Sequence, residues 1–229
     1  MTDPGDPVTG LARAAQGGPL TARGLLAAIG GWLGVVESVL PPLLFVVLYQ
    51  VAAISAAPHP VGRSSLIVIV AVPLAVSLLF VAYRAIRRQR PAAAGVGAGI
   101  VGVSAVLVLV SGDASTNYVP GFFINAVYGL AFLASLLVRR PLVGVAVAAL
   151  TQRAAAVAAH RRLFAWLTLG WVALFAVRLA VELPLYFTHQ IVPLGIARIL
   201  TGVPLYSIVL IITVLGVQAA TAARAPQPG

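Results

Sequence analysis

Two arginines and one glutamate stand inside stretches that otherwise carry almost no charge. Arg178 and Glu182 are four residues apart in the stretch 165–187. On a helix they are about 40° apart around the axis, so their side chains can meet. Arg198 lies in the next such stretch, 192–217. Ionisable groups inside a membrane span are costly and are functional candidates by default. Counted inward from the connecting loop at the helical rise, Arg178 is ~15 Å deep, and Glu182 and Arg198 are each ~9–10 Å deep. The short loop at 188–191 lets Glu182 face both arginines, which predicts an Arg–Glu–Arg cluster. Two positive groups against one negative leave a charge that is expensive to bury unless an anion neutralises it. Glu37, near the cytoplasmic end of the first span, does not reach. A lipid phosphate or small anionic ligand held by arginine in bidentate fashion would complete the balance. The competing reading is an ion-pair staple between spans four, five and six.

The surrounding polar residues extend the cluster. An internal echo pairs Arg178-x5-Pro184-Leu185-Tyr186 with Arg198-x5-Pro204-Leu205-Tyr206, with Gly202 where Glu182 stands. Arg178, Glu182 and Tyr186 form one helical stripe, and Arg198, Gly202 and Tyr206 the matching one. Each proline frees a backbone carbonyl one turn earlier, which a nearby arginine could satisfy. On the fourth span Asn125 and Tyr128 are three apart, and Asn125 falls ~8–9 Å deep, level with Glu182. The candidate ligand- or lipid-binding set is therefore Arg178, Glu182, Arg198, Asn125, Tyr128, Tyr186 and Tyr206. The plainer reading of Asn125 is a bond to a neighbouring helix.

The elements that must position these residues follow from composition. The chain has 229 residues, of which 61% are hydrophobic and 9% charged. A soluble domain is nearer half apolar and about a quarter charged, so this chain lacks the polar surface to coat a globule in water. Six stretches have the ~20 apolar residues needed to cross a bilayer: 38–56, 64–83, 92–111, 120–138, 165–187 and 192–217. The expected fold is all-α, a six-helix transmembrane bundle forming a single domain over 25–220. Disordered cytoplasmic tails are expected at 1–24 and 221–229. No period of 20–50 residues recurs over the chain, so a solenoid is excluded.

Every one of the 15 basic residues is Arg. With the N-terminus in the cytoplasm, twelve of them fall inside, Arg63 falls in an outside loop, and Arg178 and Arg198 are embedded. That asymmetry places both termini on the cytoplasmic side of a plasma membrane. It also reads the net charge of +10 as topology and anionic-lipid contact rather than nucleic-acid binding. The first apolar run begins at Leu25 behind a long tail, which argues against a cleaved signal peptide despite the small-residue segment Ala53-Ile54-Ser55-Ala56. Residues 25–36 read as a helix lying at the inner interface and broken from the first span near Pro41-Pro42, with one long tilted helix as the alternative. The segment 142–159, which carries Arg153, reads as a second interfacial helix.

Other chemistry finds little footing. The absence of Cys excludes a disulfide framework, a thiolate metal site and a cysteine nucleophile. The three histidines are scattered without a carboxylate pair, so no metal and no cofactor is expected. Phosphate-loop, dinucleotide and nucleophile-elbow motifs are missing. Gly95 and Gly99 permit a close helix approach, read as packing within the molecule. Trp32, Trp166, Tyr83 and Tyr118 suit interfacial belts.

Several segments carry a resemblance. Glu37-Ser38-Val39-Leu40-Pro41, Pro120-Gly121 through Asn125 and Tyr128, Leu137-Val138-Arg139-Arg140-Pro141-Leu142 and the two Arg-x5-Pro-Leu-Tyr segments, in this order and spacing, resemble an uncharacterised actinobacterial membrane family, domain-of-unknown-function family 3159. The likeness spans roughly residues 25–217 and implies a fold but no activity. More distantly the chain is similar to the intracellular septation protein A family, small inner-membrane proteins linked to division and envelope synthesis. There the match is a Leu-Pro start to the first span, a Tyr in the fourth, and Arg139-Arg140-Pro141-Leu142 after it. The chain departs from that family in lacking lysine and in its long N-terminal tail.

Three functional classes compete. The leading one is a non-enzymatic envelope or division-associated membrane protein that contacts lipid and protein partners. The second is a small transporter or channel for an anionic or polar solute that uses the Arg–Glu–Arg cluster. A lipid-modifying enzyme is disfavoured, because no general base sits near a nucleophile.

Overall fold

The computed structural model describes residues 31–87, 92–151 and 154–222. Among these residues every regular element is a helix. In chain order they are α1 (Gly31–Ala56), α2 (Arg63–Ile86), α3 (Ala92–Ser111), a short 3-10 helix (Ala114–Tyr118), α4 (Val119–Leu137), α5 (Leu142–Thr151), α6 (Ala154–Ala159), α7 (Arg161–Phe187), α8 (Ile191–Thr201) and α9 (Val203–Ala222). Six segments are long and apolar enough to cross a membrane, with α8 and α9 together making the sixth. Large apolar residues such as Leu79, Val110 and Leu130 face outward, as expected of helices whose solvent is hydrocarbon.

Two expectations are corrected. First, α1 runs unbroken through Pro41 and Pro42, so residues 31–36 belong to the first span and there is no interfacial helix broken off at the prolines. A spanning helix tolerates proline where surrounding groups satisfy the freed carbonyls. Residues 25–30 of that expectation lie outside the described residues. Second, the sixth span is not one helix. It breaks at Gly202, whose φ of −76° and ψ of −116° take the backbone off the helical path. Pro204 cannot donate to the carbonyl of Leu200, and proline is favoured in the first turn of a new helix. The partner half of the echo behaves differently: Pro184 stays inside α7. A glycine where the echo elsewhere has glutamate is what lets the chain turn before Pro204.

The expected interfacial segment 142–159 is helical as α5 and α6, with 152–153 outside the described residues. The expected disordered tails also lie outside, except that residues 221–222 close α9.

The contacts group the chain into two compact units. The first comprises Val36–Asn125 and Arg178–Val203. Its core joins Phe45 of α1, Ile69 of α2, Val108 of α3, Tyr118, Phe122 of α4 and Leu194 of α8. Glycine makes one close approach possible here: a Cβ on Gly195 would overlap Val46 and press on the Tyr118 hydroxyl. The second unit includes Ala126–Val177 and the described residues from Pro204 onward. Its core packs Val143 and Val147 of α5 on Phe164 and Leu167 of α7 and Val217 of α9. In it, Trp171 Nε1 donates to Thr213 Oγ1 across 3.0 Å, joining α7 to α9.

Helices α4 and α7 each close through a left-handed residue that is not glycine, Arg139 (φ 57°) and His189 (φ 56°). In both, the next amide reaches back five residues, Arg140 to the Ser135 carbonyl and Gln190 to the Leu185 carbonyl. This is the 6→1 bond of a Schellman ending.

Candidate functional site

The centre of the first unit is Glu182, fully buried on α7. Four residues earlier, Arg178 directs Nε (3.2 Å) and Nη2 (3.1 Å) at the same carboxylate oxygen, Oε1. Both nitrogens therefore converge on one oxygen, and the pair is not a bidentate fork. From α8 the Thr201 hydroxyl stands 3.3 Å from that oxygen and 2.8 Å from the carbonyl of Ala197. Its single proton serves one of them at a time, and the shorter contact is the carbonyl. Glu182 Oε2 is buried with no hydrogen-bond partner.

Arg198, one turn before Thr201 on α8, reaches the 3-10 helix and α4. Its Nη1 donates to the Tyr118 carbonyl at 3.2 Å. The guanidinium carbon lies 5.2 Å from the centre of the Tyr118 ring and 5.8 Å from that of Phe122. The negative faces of the two rings attract the cation in place of water. Gly121 makes this placement possible, because a Cβ there would overlap the guanidinium. Tyr118 itself is almost fully buried, in edge contact with Phe45, with its hydroxyl 3.4 Å from the carbonyl of Ile191. It is a core residue, and its assignment to an interfacial belt is corrected.

Beside Arg198 is a cavity of about 170 Å³. Pro41, Phe45, Pro73, Ile100 and Val101 are among its apolar lining residues, and Ser104, Asn117 and Arg198 are among its polar ones.

Asn125 is buried on α4 in the first unit, and Tyr186 sets its ring edge-on to Phe122 at 5.2 Å. Tyr128 is half exposed and stacks on Phe175 at 5.9 Å within the second unit. Tyr206 meets Trp171 and Phe175 in that same aromatic group. The structure thus joins Arg178 to Glu182, sets Arg198 against Tyr118 and Phe122, and gives Tyr128 and Tyr206 aromatic partners of their own. Among the described residues, a Cβ added at Gly95 or Gly99 would meet no neighbour within 4 Å, so the expected close packing inside the molecule is not seen at that pair.

Sequence reasoning missed Thr201, Gly121, Ser104 and Asn117, small or polar residues whose roles come only from what folds beside them. It also missed a second ion pair, in which Arg84 Nε and Nη2 donate to Glu37 Oε2 at 3.0 and 2.7 Å, joining α1 to α2. A signal existed: adjacent antiparallel spans put Glu37 and Arg84 at the same end. Among the described residues no group of His, Asp and Glu could hold a metal ion.

Helices of this length and apolarity define the class, a multi-pass α-helical membrane protein. Over residues 29–224 the chain matches the family described as protein of unknown function (DUF3159), and it belongs to that family. No curated protein and no solved structure matches it.

Proposed function

We propose that this is a non-enzymatic protein of the bacterial inner membrane, with both termini in the cytoplasm, that contacts anionic lipid and envelope or division proteins. The observation that carries the reading is the use made of the embedded charges. Glu37–Arg84 joins α1 to α2, and Arg198 joins α8 to the 3-10 helix and α4. Arg178 and Thr201 both address one oxygen of Glu182. Charges spent on helix contacts suit a scaffold that presents surfaces. An enzyme would need a base set free beside a nucleophile. The arginine excess at the cytoplasmic ends supplies the attraction to anionic headgroups.

The test is localisation with partner capture. A functional fluorescent fusion at its native level, crosslinked and purified, is expected at septa together with division or cell-wall proteins. Uniform membrane fluorescence without such proteins would overturn the reading.

A second reading, a small transporter or channel for an anionic or polar solute, is favoured by the break at Gly202. Interrupted spans expose helix ends where transporters hold their substrates. The chain contains no cysteine, so a single Thr201→Cys variant tests this directly. Rapid labelling by a membrane-impermeant thiol reagent would support an aqueous path, and protection equal to that of a core position would remove it.

A further inference from the structure

We infer that the cavity beside Arg198 is a binding site for a phosphate group carried on an apolar chain, that is, the headgroup end of an anionic membrane amphiphile. The inference rests on the lipid-contact reading above and gives it a place and a chemistry. The cavity is bipolar. Pro41, Pro42, Phe45, Pro73, Ile100 and Val101 line it with carbon. Arg198, Asn117 and Ser104, which carry a cation, an amide and a hydroxyl, are among its lining residues. An oxyanion finds charge-assisted donors at the polar part, and hydrocarbon finds partners at the rest.

Size narrows the occupant. Drug-sized pockets are about 300–1,000 Å³, and an engineered cavity of about 150 Å³ admits a benzene molecule. At about 170 Å³ this one holds roughly the same number of heavy atoms, enough for a phosphate and the first carbons of its substituent. A whole lipid does not fit, so its chains must leave the cavity for the bilayer. A free inorganic phosphate fits by volume, but most of its oxygens would face carbon, at the cost of burying unpaired polar atoms.

The guanidinium is also held in place before any ligand arrives. The Tyr118 carbonyl, the two ring faces and the space left by Gly121 fix its position. Little side-chain freedom is then lost on binding, which favours affinity.

The experiment uses the full chain, purified, delipidated and returned to phosphatidylcholine vesicles. One arm adds phosphatidylglycerol to the vesicles, and the other adds inorganic phosphate to the buffer. The readouts are lipid retained in native mass spectrometry and the shift in thermal midpoint. Wild type is expected to retain phosphatidylglycerol and to melt higher with it. Arg198→Gln is expected to lose about tenfold or more in retention, the effect of one charge-assisted hydrogen bond. Ile100→Trp, which fills the cavity and leaves Arg198 in place, is expected to lose retention as well, so the test survives misfolding of either variant. Stabilisation by inorganic phosphate alone, lost in the same variants, would assign the phosphate site to a soluble source. Retention unchanged by both substitutions, or none in wild type, overturns the inference. Septal localisation is read separately, so failure of the scaffold reading and failure of this site are distinguishable.

Discussion

Replacing Glu182 alone and together with Arg178 separates an assembly contact from a neutral pair. Arg178 and Glu182 are almost completely buried, and the carboxylate is one turn from the guanidinium on the same helix. Removing one partner of a buried pair leaves an uncompensated charge and costs about 3–5 kcal/mol. Replacing both by apolar residues of similar volume is neutral or stabilising by about 1–4 kcal/mol. The interhelical part is smaller. Thr201 is the contact from α8, and hydrogen bonds between spanning helices average about 0.6 kcal/mol. Glu182→Leu is therefore expected to lose about 3–5 kcal/mol, Thr201→Val less than about 1 kcal/mol, and Arg178→Met with Glu182→Leu nothing. Equilibrium unfolding in mixed micelles of increasing sodium dodecyl sulfate fraction, followed by fluorescence of Trp171 beside Phe175 and Tyr206, measures all three. A double variant as unstable as the sum of its singles would show that the two charges do not compensate one another, and the reasoning would fail.

Other perturbations test other contacts. Gly121→Ala places a methyl group in the Arg198 guanidinium and is expected to destabilise by about 1–3 kcal/mol, with most of the loss recovered in Gly121→Ala, Arg198→Ala. Glu37→Gln breaks the Arg84 pair, whose side chains are 16% and 17% exposed, and its effect in the same micelle titration is expected to exceed the ~1 kcal/mol of a surface pair. Gly202→Ala sets a Cβ 2.8 Å from the carbonyl of Arg198 in the chain's own backbone, and it should lower the thermal midpoint or shift the break. His189→Gly relieves a left-handed residue and is expected to stabilise by about 1 kcal/mol in the same measurement.

What could be read from the chain was what repeats along it. Six apolar runs gave six spans, because span length is set by bilayer thickness and needs no tertiary information. The Arg178–Glu182 contact was legible for the same reason, since four residues on a helix fix a neighbourhood by geometry alone. Arg198 was a harder case: its depth follows from the helical rise, but its direction depends on the absence of a side chain at Gly121, seventy-seven positions earlier. The break at Gly202 shows where local rules stop discriminating. Pro184 and Pro204 have the same following Leu-Tyr and the same preceding Arg, yet only the second ends a helix. A glycine two residues before the proline is the local difference, and its cost depends on which surrounding groups satisfy the carbonyls it leaves. The aromatic set of Tyr128, Phe175, Trp171 and Tyr206 teaches the converse. Depth and stripe single out two of these tyrosines but do not foretell their ring partners; a phenol ring beside other rings gains contact area without burying an unpaired polar atom. Depth in a membrane is thus legible from one helix at a time, whereas the face a side chain takes is decided by pairs of helices, and a ligand site needs the face.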